Sequence, residues 1–304
     1  MGAKRTALVT DSTWSLPTAL ARQLRLAVIP LHVSFGSRTL CDCESEVPHI
    51  TEALRTRAAT TSQPTPGEIA AVLEEVATGA DRVVAIHLSG ALSGTCAAVG
   101  NAAAALTAST GVRIDVVDSR TVGGALGYAV AVAAYALATG VDADGAIARA
   151  RECAATSRVF LTVSDLRHLQ RGGRVRAPQA AVGTALGIKP ILHLQSGEIR
   201  VLESVRGTRK AHQQLVSRAL VAAGAPTRGP REPRSPVSFA VHHVGEAEEA
   251  ESLAARLREA AAEADLAIDR LDVTPMSGVL AAHAGPGALA IAVARTRGLI
   301  HTSP

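Results

Sequence analysis

The sequence predicts an α/β protein in two parts. A Rossmann-like parallel-sheet N-terminal domain precedes an α+β C-terminal domain with a mixed sheet. Three observations carry that expectation. The chain has 304 residues, 47% hydrophobic and 19% charged, the balance of a soluble globular chain of one or two domains. In the first half, short apolar runs end in hydroxyl- and glycine-rich loops followed by helix-like segments, the order that builds a parallel sheet. In the second half, two strand-like runs flank a Ser196-Gly197-Glu198 turn, which predicts a hairpin. The boundary falls near residue 155, giving domains of residues 1–155 and 156–304.

Met1-Gly-Ala-Lys-Arg5 leads directly into a strand-like run, so no secretory signal is expected. Residues 7–10 form a short β run ending at Asp11-Ser12-Thr13, and residues 16–25 read as a helix with Pro17 in its first turn. Residues 28–35 alternate apolar and polar side chains and predict one strand. Thr65-Pro66-Gly67-Glu68 has capping-box spacing, so a helix opens there and runs to about residue 77. Residues 82–88 predict a buried strand, 89–95 a loop, and the Ala-rich stretch to residue 106 a helix. Residues 112–117 predict the next strand, followed by a loop from Asp118 to Gly124.

Residues 121–141 carry no charged side chain, a length that would span a bilayer. Their Ala, Gly, Val and Thr content is only weakly hydrophobic, and predicts a small-residue helix packed inside the domain. Farther along, strands are expected at 159–163, 188–194, 199–205, 237–244, 266–273 and 288–294. Helices are expected at 165–170, 209–223 and 246–264, with a Pro/Arg loop at 225–236.

Composition narrows the function. Aromatic residues make up only 2% of the chain, too few to stack single-stranded nucleic acid or sugars. Any apolar pocket is therefore walled by Ala, Val, Leu and Ile. The four Cys form no disulfide framework, and Cys41-x-Cys43 lacks a second metal-ligand pair nearby, so reduced thiols in the cytoplasm are expected and no metal. Net charge is +4 but uneven: −2 over residues 1–150, +10 over 151–234 and −4 over 235–304. A basic middle fits phosphate or an acidic partner. Nucleic acid is not expected, because no aromatic residues interleave with the charge.

Three loops, Asp11-Ser12-Thr13, Ser89 to Thr95 and Asp118 to Gly124, follow predicted parallel strands, where open sheets collect ligands. Thr60-Thr61-Ser62-Gln63-Pro64 precedes the capped helix, near a positive dipole end. Hydroxyls, amides and helix starts together favour a carboxylate or phosphate, although turns use the same residues for their own sake. His283-Ala-Gly-Pro-Gly287 reads as a tight glycine turn presenting a histidine. Ser93 with His283 keeps open a stand-alone serine hydrolase or acyltransferase, but Ala91-Leu92-Ser93-Gly94-Thr95 misses both glycines of the nucleophile elbow. No G-x-G-x-x-G follows the first strand and no Walker A motif is present, so no dinucleotide or P-loop nucleotide is expected. The basic set Arg171-Gly-Gly-Arg174, Lys189 and Arg206-Gly-Thr-Arg209-Lys210 includes two of the chain's three lysines. The glycines before Arg174 would let backbone and guanidinium approach an anion together.

In this order the segments resemble the DegV family of bacterial fatty-acid-binding proteins. The matching pieces are Val9-Thr-Asp-Ser-Thr13 with Leu16-Pro17, Ile29-Pro-Leu-His-Val33, Thr61-Ser-Gln-Pro64, Leu92-Ser-Gly-Thr95 and Val117-Asp-Ser119. They continue through Asp165-Leu166, Gly172-Gly-Arg-Val175, Ile188-Lys-Pro-Ile191, Arg206 with Arg209-Lys210, and His283-Ala-Gly-Pro-Gly287. The resemblance implies two α/β domains with a long-chain fatty acid in a buried tunnel between them. It implies a binding subunit without a cofactor, not an enzyme by itself, that presents the acid to a separate fatty-acid kinase for acyl-phosphate formation. It further implies that Thr61 and Ser93 bind the carboxylate with Ser62 and His283 close by. Arg174, Arg206, Arg209 and Lys210 would face the phosphate or the kinase. Transient contact with a membrane surface is compatible with that role in phospholipid metabolism. The chain departs from the family's pattern at Gly90, where a second Ser often follows Ser89, at His87, and in the Arg/Pro loop 228–234.

Elementary energetics agree with such a ligand. A buried carboxylate needs several donors, and two hydroxyls plus a histidine supply them without a fixed positive charge. At about 0.8 kcal/mol per buried methylene, ten carbons give roughly 8 kcal/mol before binding costs.

Overall fold

In the computed structural model of the chain, residues 5–175, 187–225 and 236–296 are described. The first sheet has the order β2-β1-β6-β7, from β1 (Thr6–Asp11), β2 (Ala27–Ile29), β6 (Arg82–His87) and β7 (Arg113–Asp118). All of its pairings are parallel. Helices α1 (Thr18–Gln23), α3 (Pro66–Ala77) and α4 (Thr95–Thr110) make its crossovers. Short buried strands joined through helices have no other way to satisfy their backbone and keep both faces covered. The α3 start is the predicted capping box: the Thr65 amide donates to Glu68 Oε2 at 2.8 Å, and the Glu68 amide to Thr65 Oγ1 at 3.3 Å.

Residues 28–35 do not form one strand. Pro30 lies between β2 and β3 (His32–Phe35), and the two belong to different sheets. Proline has no N–H for a ladder, so the chain leaves the first sheet there. β3 instead anchors a small antiparallel sheet, β4-β3-β5, with β4 (Arg38–Cys41) and β5 (Thr60–Ser62). The hydroxyl stretch expected as a loop is therefore an edge strand over Thr60–Ser62. Helix α2 (Val47–Leu54), not expected from the sequence, connects β4 to β5.

The uncharged stretch forms α5 (Gly124–Ala138), almost entirely buried. It packs against Leu8, Val84 and Ile86 of the first sheet and against Ala240, Ala292 and Ala294 of another. Its small residues are a steric requirement. A Cβ on Gly127 would collide with the Trp14 carbonyl and Leu16, and one on Gly124 would stand 2.5 Å from the Ala240 Cβ. Among the described residues no helix is long and apolar enough to cross a membrane. Helix α6 (Ala143–Thr156) follows, capped by Asp142, which accepts the Gly145 amide at 2.8 Å.

The second sheet begins at β8 (Arg158–Thr162), after which comes the short helix α7 (Arg167–Arg171). The predicted hairpin is β9 (Ile188–Gln195) and β10 (Glu198–Arg206), antiparallel about Ser196-Gly197. Helix α8 (Thr208–Ala223), β11 (Val237–His243), α9 (Ala247–Glu263), β12 (Ile268–Pro275), α10 (Gly278–Ala284) and β13 (Leu289–Ala294) complete the order. The sheet runs β10-β9-β8-β13-β11-β12 and is mixed, since only β11 and β12 pair in parallel. Helices α8 and α9 cover one face through Leu215, Leu253 and Leu257. The opposite face meets α5 at one end, and α10 with the small sheet at the other. Loop 228–234 lies outside the described residues.

Candidate functional site

The predicted hydroxyl loops do not all serve one purpose. Asp11 spends its carboxylate locally: Oδ1 accepts the Thr13 amide at 3.0 Å and the Thr13 hydroxyl at 2.5 Å, and Oδ2 accepts the Leu88 amide at 2.9 Å and faces His87 Nδ1 at 3.0 Å. Asp118 and Ser119 likewise bond to the backbone of Arg120 and Thr121. These two loops brace the strand ends. The other two, around Thr61 and Ser93, open on a cavity of about 70 Å³.

Its polar lining is Thr61, Ser62, Gln63, Ser93, Arg174 and His283. The remainder is aliphatic, from Leu31, Leu88, Leu92, Val122, Ile199, Val279 and Leu280. Thr61 is the middle residue of β5, opposite Val33 in the ladder. Ser93 lies just before α4, where its Oγ accepts the Thr95 amide at 3.3 Å and stands 2.9 Å from Thr95 Oγ1. The Thr61 hydroxyl is 2.9 Å from His283 Nε2, joining residues 222 positions apart.

His283 is not in the glycine turn that its neighbours predict. It occupies the last turn of α10, whose start is Ser277, accepting the Leu280 amide at 3.4 Å. Gly285, at φ 80°, then ends the helix. The Ser277-Gly-Val-Leu start was the missed signal, a cap before a short apolar run. Gly172 packs against the same histidine: any side chain there would overlap the His283 ring. Burial, with the nearby Arg174 charge, pushes His283 down to about 4, so its ring is neutral at pH 7. Arg174 is held in the wall by its own bonds, Nε donating to the Leu92 carbonyl at 3.0 Å and Nη1 to the Gly172 carbonyl.

Arg206, Arg209 and Lys210 are not brought into this cavity. They are exposed at the end of β10 and in the first turn of α8. Ser93 and His283 both line the cavity, yet the hydrogen bonds described for them run to Thr95 and Thr61, which leaves the hydrolase arrangement unformed. Among the described residues no cluster of three His, Cys, Asp or Glu could hold a metal ion.

The two sheets are also joined by a contact that local sequence does not reveal. The tip of the β9–β10 hairpin docks on the first sheet's loops. Ser89 Oγ donates to the Gly197 carbonyl at 2.8 Å, and Arg120 Nη2 to the Ser196 carbonyl at 2.8 Å. Gly197, at φ 89°, permits both the turn and the approach, since a Cβ there would lie 2.5 Å from Ser89 Oγ.

Known proteins share this architecture. The family described as "Uncharacterised protein, DegV family" matches residues 5–296. A DegV domain-containing protein of Streptomyces coelicolor is 36% identical over 293 residues, covering 95% of this chain and 98% of its own. A fatty-acid-binding DegV family protein of Thermus thermophilus superposes with a TM-score of 0.80 at 30% identity, over 96% of this chain and 99% of its own. DegV of Bacillus subtilis, a fatty acid binding protein, superposes with a TM-score of 0.78 at 30% identity and the same coverage. With a match that spans all three sheets and every element lining the cavity, this chain belongs to the DegV family.

Proposed function

We infer that this protein binds a long-chain fatty acid in the cytoplasm and presents its carboxylate to a separate fatty-acid kinase subunit. The observation that carries this is the Thr61–His283 pair, 2.9 Å apart in the wall of a cavity whose other lining is mostly aliphatic. A neutral imidazole with its proton on Nε2 donates to the Thr61 oxygen, which frees the Thr61 hydroxyl proton for an incoming carboxylate. Ser62 and Ser93 line the same cavity and supply further hydroxyl donors. Donors of this kind hold the anion while leaving its oxygen nucleophilic. A phosphoryl group delivered by the kinase would form a bond to that oxygen as its bond to the nucleotide breaks.

The acyl chain would lie between the two expected domains, along Leu88, Val122, Val279 and Leu280 of the cavity lining. Seating a tail longer than the cavity requires those side chains to part, which flexible leucines allow at low cost. Arg174 would meet the phosphate at the cavity, while the exposed Arg206, Arg209 and Lys210 would face the kinase or, transiently, a membrane surface. The protein is the substrate-binding subunit in this scheme and not an enzyme by itself.

Denaturing the purified protein and analysing the extracted lipid by mass spectrometry tests the proposal. One fatty acid per chain is expected. An empty protein from a lipid-replete host would overturn it, and so would unchanged lipid retention and phosphorylation in the Thr61→Ala, Ser93→Ala double variant.

A further inference from the structure

One buried carboxylate reaches the cavity walls without lining the cavity. Asp42 follows β4 and is only 3% exposed. Its Oδ2 accepts the Ser12 hydroxyl at 2.7 Å, and its Oδ1 accepts the Gly278 amide at 2.5 Å, at the first residue of α10. The Ser277 hydroxyl and the Val279 amide add to the donors around it. Ser12 Oγ in turn accepts the Leu31 amide at 3.1 Å, and the Asp42 amide donates to the Leu31 carbonyl at 2.8 Å. Two cavity-lining elements thus meet at this carboxylate: Leu31 on one side, and on the other α10, which carries Val279, Leu280 and His283. Gly278 makes the approach feasible, because a Cβ there would stand 3.1 Å from Oδ1 and 2.5 Å from Ile50 Cδ1.

We propose that Asp42 is a positioning residue of this site, a buried carboxylate that docks α10 and so holds His283 against Thr61 while ionised, and that relaxes that hold on taking up a proton. As a statement about ligand retention, this rests on the fatty-acid reading above. The chemistry is that of an acceptor among donors. Two hydroxyls and two amides point at Asp42, with no cation among them. A proton on Oδ1 sets a donor against the Gly278 amide, which can only donate, so that bond gives way; a proton on Oδ2 makes the Ser12 hydroxyl rotate and give up its own donation. Burial holds the Asp42 carboxyl up at about 6, against the pull of its four donors; loss of the α10 donors while the carboxyl stays buried raises it further, so proton uptake favours the relaxed arrangement as pH falls through about 6.

Few other groups titrate there. The ionisable neighbours are the Cys41 and Cys43 thiols beside Asp42 in the chain, and burial pushes Cys41 up, which keeps it protonated. Ser12, Ser277 and Ile50, facing Asp42 from the turn after β1, from α10 and from α2, carry no titratable group. His283, at the far end of α10, is pushed down to about 4 and stays neutral through the same interval.

Binding of radiolabelled palmitate to wild type and Asp42→Asn, compared at about pH 7 and about pH 5, tests this. The wild type should bind about tenfold more tightly at the higher pH, an advantage that vanishes at the lower. Titration of palmitate itself cancels in the comparison. Equal affinity at the higher pH, or an advantage that does not change with pH, overturns the proposal. If Asp42→Asn does not fold, Ser12→Ala serves: removing one donor should raise the midpoint of the pH profile, and an unmoved midpoint is contrary. Should the wild type bind no palmitate, the fatty-acid reading fails on its own. The docking of α10 is then read from the His283 ring resonances by NMR. They should shift with a midpoint near that of Asp42 in wild type and not in Asp42→Asn; no such step overturns the proposal.

Discussion

Two buried histidines, in the seam along α5 and in the cavity at its amino end, share a depressed basicity and differ in everything else. Burial pushes both His242 and His283 down to about 4. In the seam, His242 Nε2 accepts the Gly124 amide at 3.0 Å. Its Nδ1 faces Thr274 Oγ1 at 2.9 Å, and that hydroxyl already donates to the Ser15 carbonyl at 2.9 Å. Nδ1 must therefore be the donor, and the fold uses both ring nitrogens. His283 Nε2 meets a hydroxyl that can rotate, beside an open volume. A lowered pKa by itself thus marks burial. A rotatable partner facing a void is what distinguishes a binding group from a strut.

That contrast can be broken or sharpened by substitution. The largest effect should come from Gly127→Val in the seam, where the added side chain meets the backbone carbonyl of Trp14. A loss of about 3 kcal/mol in urea unfolding is expected; full stability would mean the seam is not close-packed. His242→Ala comes next, leaving the Gly124 amide without its acceptor, with about 2 kcal/mol lost at neutral pH. Its pH dependence carries a sign. The folded His242 sits at about 4 against an ordinary 6.5, so the unfolded chain binds the proton more readily. Stability from His242 is full above 6.5 and is lost as pH falls through about 4. Unfolding midpoints measured over that interval should decline less steeply in His242→Ala than in wild type.

At the cavity the balance reverses. Thr61→Ala should weaken fatty-acid binding roughly tenfold, while stability shifts by no more than about 0.5 kcal/mol. A large stability loss with unchanged binding would make Thr61–His283 another strut. Arg209→Ala should do least, since its side chain is exposed and outside the cavity. Lipid retention and thermal stability should both match wild type, and only phosphorylation by a partner kinase should fall.

Much of the fold is legible locally. Thr65 and Glu68 mark a helix start by spacing alone, Ser196-Gly197 marks a hairpin, and the uncharged run marks a helix too crowded for side chains. The site is legible in part. Thr61, Ser62, Ser93, Arg174 and His283 all line one cavity, whereas Arg206, Arg209 and Lys210 share a charge with Arg174 and not a place. Pro30 is a strand breaker, but the apolar–polar alternation over 28–35 masks it. Where the chain goes after Pro30 depends on β4 and β5, which are weak strands until paired.

Periodicity, caps and turn residues act between neighbours a few positions apart. They alone determined the two-part α/β plan, the buried α5 and the hydroxyl-rich strand ends. Tertiary structure decided which hydroxyls line the cavity and which brace a strand end, as Thr61 and Thr13 do respectively. It also decided that Asp42 reaches α10, and that the Ser196-Gly197 tip closes on Ser89. Those contacts join residues separated by a hundred positions or more, and no local preference encodes them: their energy exists only once the sheets have packed.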